Sequence, residues 1–232
     1  MYRSLFIMLL FLSGTICAQE INQFDSNDQR HGKWSKNFEG TDQLRYEGQF
    51  DHGKEVGLFK YYRLVGKKSK LAATKTFDAV DNSAQVKFLS LRGKSISEGK
   101  MVGKLYVGKW VYYHKNSDVI MTIEHFDQNG QLDGKKKVYY DNGQVAEEID
   151  YVHGKIHGTS KYYSLEGVLI KSYVYENDEL HGMSKHFDGD GTILIEGRYK
   201  RGKKTGVWNY YENGVVVKEK DFTYVPKYKK KQ

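Results

Sequence analysis

Cysteine and proline are almost missing from this sequence, with one of each in 232 residues. A lone cysteine excludes an internal disulfide framework and a thiolate metal cluster. A lone proline excludes proline-rich linkers, so the turns of the chain fall to glycine, of which there are 24. Aliphatic bulk is short as well. With tyrosine set aside and glycine added, the apolar share is about 41%, under the roughly 45 to 50% of globular chains, which argues against a large dry core. Tyrosine is abundant, at 19 residues, and its ring packs while its hydroxyl stays wet, which suits a flat or elongated fold. Neither sign of charge dominates: 37 basic against 29 acidic residues give +8, mixed along most of the chain, and this is not a nucleic-acid-binding composition.

The apolar run of note lies at the start. Arg3, the stretch from Leu5 to Leu12, and small and polar residues up to Ala18 have the three-part form of a secretory signal and are too short to span a bilayer. Cleavage is expected after Ala18, with a buried N-terminal helix or an uncleaved anchor as the alternatives. Lipidation of Cys17 would require a small preceding residue, and Ile16 stands there. Processing would remove the thiol and send the chain to the periplasm, the envelope or the cell exterior.

A repeat runs through the rest. Gly134, Gly158, Gly182 and Gly206 each open the same pattern at a spacing of 24 residues. The phase continues backward through Gly108, Ala84, Gly57 and Gly32 at spacings of 26, 24, 27 and 25, which makes eight units. Each unit alternates toward an aromatic group, such as Trp110 with Tyr112 and Tyr113, or Trp208 with Tyr210 and Tyr211. Alternation places Trp208 and Tyr210 on one face of a strand and Tyr211 on the other. A polar turn follows, as at Asn142-Gly143, Asp190-Gly191 and Asn213-Gly214, dipeptides that supply the positive φ angles of tight hairpins. A β-branched second strand then ends on an aromatic: Phe50, Tyr151, Tyr175, Tyr199 or Phe222.

One unit is therefore one hairpin. The expected fold is all-β: an elongated, twisted antiparallel meander of about eight tandem hairpins in a single repeat domain. The segments read as a leader at 1–18, a lead-in at 19–29, irregular repeats at 30–104, regular repeats at 105–223 and a basic tail at 224–232. The long 63–75 connection and the glycine-less Ala84 unit make the N-terminal half the weaker one.

These residues, notably Tyr46-Glu47-Gly48, Gly53-Lys54, His157-Gly158, Tyr162-Tyr163 and Asn213-Gly214, resemble the MORN repeat in its bacterial variant form. The resemblance covers residues 30 to 223 and is strongest to the variant-repeat proteins labelled YwqK-family antitoxins. It implies tandem β-hairpins and a binding scaffold rather than a catalyst. An antitoxin against an intracellular toxin would need no export signal, so the antitoxin role does not follow from the repeats.

Five histidines precede a glycine, His31, His52, His153, His157 and His181. Equivalent positions such as His157 and His181 lie about 10 Å apart in a two-strand repeat, too far for one metal ion, so these read as turn residues and no metal or cofactor is expected. Glu47, Glu98, Glu148, Glu196 and Glu219 form a column on an open sheet rather than a catalytic pair, and cross-strand pairing with lysine is the expectation. Lys54, Lys104, Lys155 and Lys203 each follow a turn glycine, and Lys227, Lys229, Lys230 and Lys231 close the chain. They read either as a rim that blocks edge-to-edge pairing or as a contact for an anionic surface.

The sequence thus points to an exported, non-enzymatic repeat protein that holds a protein partner at the envelope, antitoxin- or immunity-like. The alternative is a peripheral module binding anionic lipid or polysaccharide through its lysines; nucleic acid is disfavoured. The candidate contacts are Trp110, Tyr112, Tyr162, Trp208, Tyr210 and Tyr211, with Lys54, Lys104, Lys155 and Lys203. The tryptophans count as contacts if exposed and as core if buried.

Overall fold

The computed structural model describes residues 20–223; the expected leader and basic tail lie outside them. The described chain holds eighteen strands and no helix, in a sheet where strands pair antiparallel with their neighbours in sequence. Two strands, Gln23–Phe24 and Glu179–Leu180, are two residues long. The other sixteen form eight hairpins, from Arg30–Asn37 against Leu44–Asp51 to Lys203–Glu212 against Val215–Asp221. The meander of eight hairpins is thus the fold that the spacing predicts. The lead-in also takes part: Gln23 and Phe24 pair with His31 and Arg30, and the Gln23 carbonyl accepts the Trp34 indole N–H at 3.1 Å.

The anchor glycines sit inside strands, opposite the aromatic that ends the hairpin: Gly32 faces Phe50, Gly57 Phe77, Gly108 Phe126, and Gly134 Tyr151. Their φ angles lie between 64° and 113°, a region that a side chain resists. The result is a bulge against the preceding hairpin. Glu47 and Gln49, two residues apart, face Lys60 and Val56, four apart, and the same slip separates Glu196 and Arg198 from Asn209 and Thr205. Ala84 takes no such angle, and its strand pairs with Lys68–Phe77 without a slip.

Two kinds of turn recur. His52-Gly53, His153-Gly154, Arg201-Gly202 and Asn213-Gly214 have positive φ at both residues, as a two-residue type I′ turn requires. Asn142-Gly143 and Asp190-Gly191 differ from expectation, because only the glycine is left-handed. There the loop is one residue longer. Tyr140 N–H donates to the Gln144 carbonyl at 2.8 Å and Gly143 N–H to the Tyr140 carbonyl at 2.9 Å, a turn closed by a glycine bulge. The 63–75 segment is also not a loose connection. It lengthens the hairpin Lys54–Val65 against Lys68–Phe77, which has nine paired positions across a tight Gly66-Lys67 turn.

With one sheet and no helix, the core forms within one face from side chains of adjacent strands. A central row runs through Gly48, Phe59, Lys75, Val86, Gly99, Trp110, Glu124, Lys136, Ile149, Ser160, Tyr173 and Ser184 toward Gly197 and Trp208. Large and small residues alternate at its deepest points. The rings of Phe59, Trp110 and Trp208 lie flat over Gly48, Gly99 and Gly197, where any Cβ would collide with them. Where the glycine position holds Ile149, the facing residue shrinks to Ser160, which is fully buried. This is the close packing of a protein interior achieved in a single row.

Candidate functional site

Trp110 and Trp208 are 0% and 2% exposed, so they are core and not contact residues. Each indole lies on its glycine and donates its N–H to the next carbonyl, Trp110 to Lys100 at 2.9 Å and Trp208 to Arg198 at 3.2 Å. Tyr106 stacks over Trp110 with centroids 3.7 Å apart. The Lys204 ammonium covers Trp208 at 3.9 Å from the ring centroid. A ring sealed below by backbone and above by a neighbour has no surface left for a partner.

The next row on the same face stays partly open. Tyr46, Tyr61, Phe88, Tyr112, Tyr162 and Tyr210 are half-buried, and the strand register joins them in one line from Tyr46 to Tyr210. Burial, and then the Glu55 and Glu124 carboxylates, push the Tyr61 and Tyr112 hydroxyls well above the ordinary range, so both stay protonated donors. Of the predicted contacts, Tyr112, Tyr162 and Tyr210 belong to this row.

Tyr211 lies on the opposite face, as alternation requires, and is engaged. Its hydroxyl donates to Glu196 at 2.7 Å, and Lys185 stands 3.5 Å from the same carboxylate. The arrangement recurs along the sheet. Tyr62 and Lys60 hold Glu47 at 2.8 and 3.0 Å, and Tyr113 and Lys87 hold Glu98, the lysine at 3.0 Å. Lys137 holds Glu148 at 2.6 Å. Tyrosine first, and lysine after it, keeps Glu47, Glu98 and Glu196 below the usual carboxylate range. Glu47, Glu98, Glu148 and Glu196 are therefore ladder partners, each exposed pair contributing under about 1 kcal/mol, whereas the exposed Glu219 lies in none of the ion pairs among the described residues. A carboxylate held low by a phenol and an ammonium is a poor proton carrier.

Lys54, Lys104, Lys155 and Lys203 are exposed and project from the same long edge of the sheet, Lys104 within a short turn and the others just after one. Among the described residues none of them lies in an ion pair. Acidic groups share that edge, however. Asp51, Asp78, Asp81, Asp127 and Asp178 all lie at or beside its turns, so it is mixed and not uniformly basic.

The turn histidines meet acids. The His52 Nδ1 lies 2.5 Å from Asp25, a carboxylate that also accepts the N–H groups of Asn27 and Gln29 at 2.9 Å. His153 meets Asp133 at 3.4 Å and Asp127 at 3.7 Å, rather than His157. His31, Asp51 and His52 form a further cluster. Counting repeat spacings missed these groupings, because a hairpin turn folds back beside the start of its own unit, as Gly53 N–H does on the Arg30 carbonyl at 2.8 Å.

Two histidines should titrate in opposite directions. The Asp25 hydrogen bond raises His52, so its contact contributes stability below the unfolded value of about 6.5 and loses it as pH rises through the folded value. Burial, and then Lys171 and Lys204, lower His186, whose Nε2 meets the Tyr173 hydroxyl at 3.1 Å. Its contribution is present above about 6.5 and is lost as pH falls through the folded value. NMR titration of the ring protons should place His52 above and His186 below that value, and Asp25→Asn should return His52 toward it. The reverse order would contradict both contacts.

Residues 132–153, which hold the hairpin from Gly134 to Val152, match the family model described as MORN repeat variant. This supports reading the chain as a MORN-repeat protein, and repeats of this kind are generally associated with protein or membrane binding. No curated protein matches the chain. Among the described residues no helix is long and apolar enough to cross a membrane.

Proposed function

We propose that this chain is a non-enzymatic, MORN-type scaffold, exported to the cell envelope, that binds a protein partner along its open aromatic row. The observation that carries the reading is the line from Tyr46 to Tyr210: rings in register on one face, half-exposed, each offering a flat apolar surface and all but Phe88 carrying a hydroxyl. Such rings are the usual anchors of protein interfaces. On the opposite face the Glu47, Glu98, Glu148 and Glu196 carboxylates are already held by tyrosine or lysine. An immunity- or antitoxin-like role is the finer form of this reading, in which the captured partner is an enzyme or toxin at the envelope.

The second reading is a charge-driven contact with anionic lipid or glycan through Lys54, Lys104, Lys155 and Lys203. The interleaved aspartates on the same edge oppose it, since they cancel the field that would draw such a surface.

The test separates the two. Affinity capture from the native envelope fraction at low and moderate salt should return one protein at both salt levels. Replacing Tyr162 and Tyr210 by serine should abolish capture, and replacing the four lysines by alanine should leave it unchanged. Loss of capture in the lysine variant, or recovery of lipid or glycan at low salt alone, would overturn the scaffold reading in favour of the second.

A further inference from the structure

We propose that His31, Asp51 and His52 form a binding site for a divalent transition-metal ion of the zinc class. One ligand atom from each lies within 4.8 Å of the others. The Asp51 Oδ1 sits between the two rings, 3.6 Å from His31 Nδ1 and 3.8 Å from His52 Nε2. Bonds of about 2.1 Å in a tetrahedral site set its ligands about 3.4 Å apart. Two edges of the triangle are therefore nearly formed. The third closes by a small rotation of two exposed rings whose centroids are already 4.8 Å apart. Only one long contact is given up, from the His52 N–H to His31 Nδ1 at 3.5 Å.

The surroundings fit a ligand set more closely than a pair of turn histidines. Asp25, whose side chain is 8% exposed, takes the Nδ1 of His52 and so directs Nε2 toward Asp51. A carboxylate behind a ligating imidazole fixes its tautomer and orientation. Two imidazoles and one carboxylate with an open fourth position suit zinc rather than calcium or magnesium, which take oxygen ligands. The backbone also sets where the two side chains start. His31 pairs with Gln23 in the first strand pair, and His52 occupies a type I′ turn at φ 45°.

The cluster Asp127, Asp133 and His153 provides an internal comparison. It repeats the turn, with His153 at φ 47°, but offers one imidazole instead of two. One oxygen of Asp127 is already committed to the N–H groups of Asn129 and Gln131.

The experiment uses the full chain and zinc chloride alone. Calorimetric titration should show one zinc per chain, and the ring resonances of His31 and His52 should shift together. His31→Gln, Asp51→Asn and His52→Asn should each weaken binding by about tenfold or more, Asp25→Asn should weaken it by about tenfold as an orienting group, and His153→Asn should leave it unchanged. Asparagine tolerates the left-handed turn, so the His52 and His153 variants keep their backbone conformation. Should His31→Gln fail to fold, the ring shifts of the unmodified chain still decide. Absence of those shifts at millimolar zinc, binding that survives all three ligand variants, or equal loss in His153→Asn would each overturn the site.

Discussion

Trp110→Ala should destabilise the protein by about 3 to 5 kcal/mol, the range for removing a fully buried aromatic side chain. Trp110 and Trp208 have the largest fully buried side chains among the described residues, and the Trp110 cavity cannot collapse easily. Its floor is backbone at Gly99 and its roof is Tyr106, which belongs to the same strand. The surrounding cluster of Ala84, Val86 and Met101, with Phe77, Phe88 and Phe126 at its rim, joins five strands and would lose its common centre. Loss of the indole also leaves the Lys100 carbonyl without its side-chain donor. Chemical denaturation followed by far-ultraviolet circular dichroism measures the change. A loss below about 1 kcal/mol, ordinary for a surface substitution, would refute the core assignment.

The second large effect lies in the alternation of large and small residues. Gly197→Ile should cost about 2 to 3 kcal/mol through overpacking, because its Cβ would fall inside the Trp208 ring while the backbone there accepts a side chain. Trp208→Ser alone should cost about 3 to 5 kcal/mol. The double variant recreates the native Ile149 and Ser160 pair in the corresponding register. It should therefore be less destabilised than the sum of its parts by about 1 to 3 kcal/mol. Additive costs would mean that the row is not packed as a unit.

Much of this fold was legible in the residues. Spacing of the anchor glycines located eight hairpins, and alternation placed Trp208 and Tyr210 on one face with Tyr211 on the other. What stayed illegible depends on contacts across strands. The glycine of Tyr46-Glu47-Gly48 looks like part of a turn, yet it is a floor for Phe59 on the following strand. Nothing local reveals that, since the need arises from a side chain eleven residues away. The tryptophans looked like contacts for the same reason: a one-sheet protein has no obvious interior, and a ring becomes buried only through a glycine below and a neighbour above. Histidine groupings were hidden by comparing equivalent positions, whereas His31 and His52 are non-equivalent residues brought together by one folded-back turn.

The consecutive pairing of strands bears on how the chain reaches this state. The most widely separated partners in the sheet, Gly57 and Phe77, are twenty residues apart, and the other pairs are closer. All-β proteins usually fold slowly because their contacts join distant parts of the sequence, at a loop-closure cost that must be met early. This sheet has strand pairings with nearly the locality of a helical bundle. Each hairpin can close on the microsecond scale of an isolated turn and then serve as the template for the next. The refolding rate should accordingly depend little on how many repeats follow. A nascent chain could complete its first hairpins while the last were still being made.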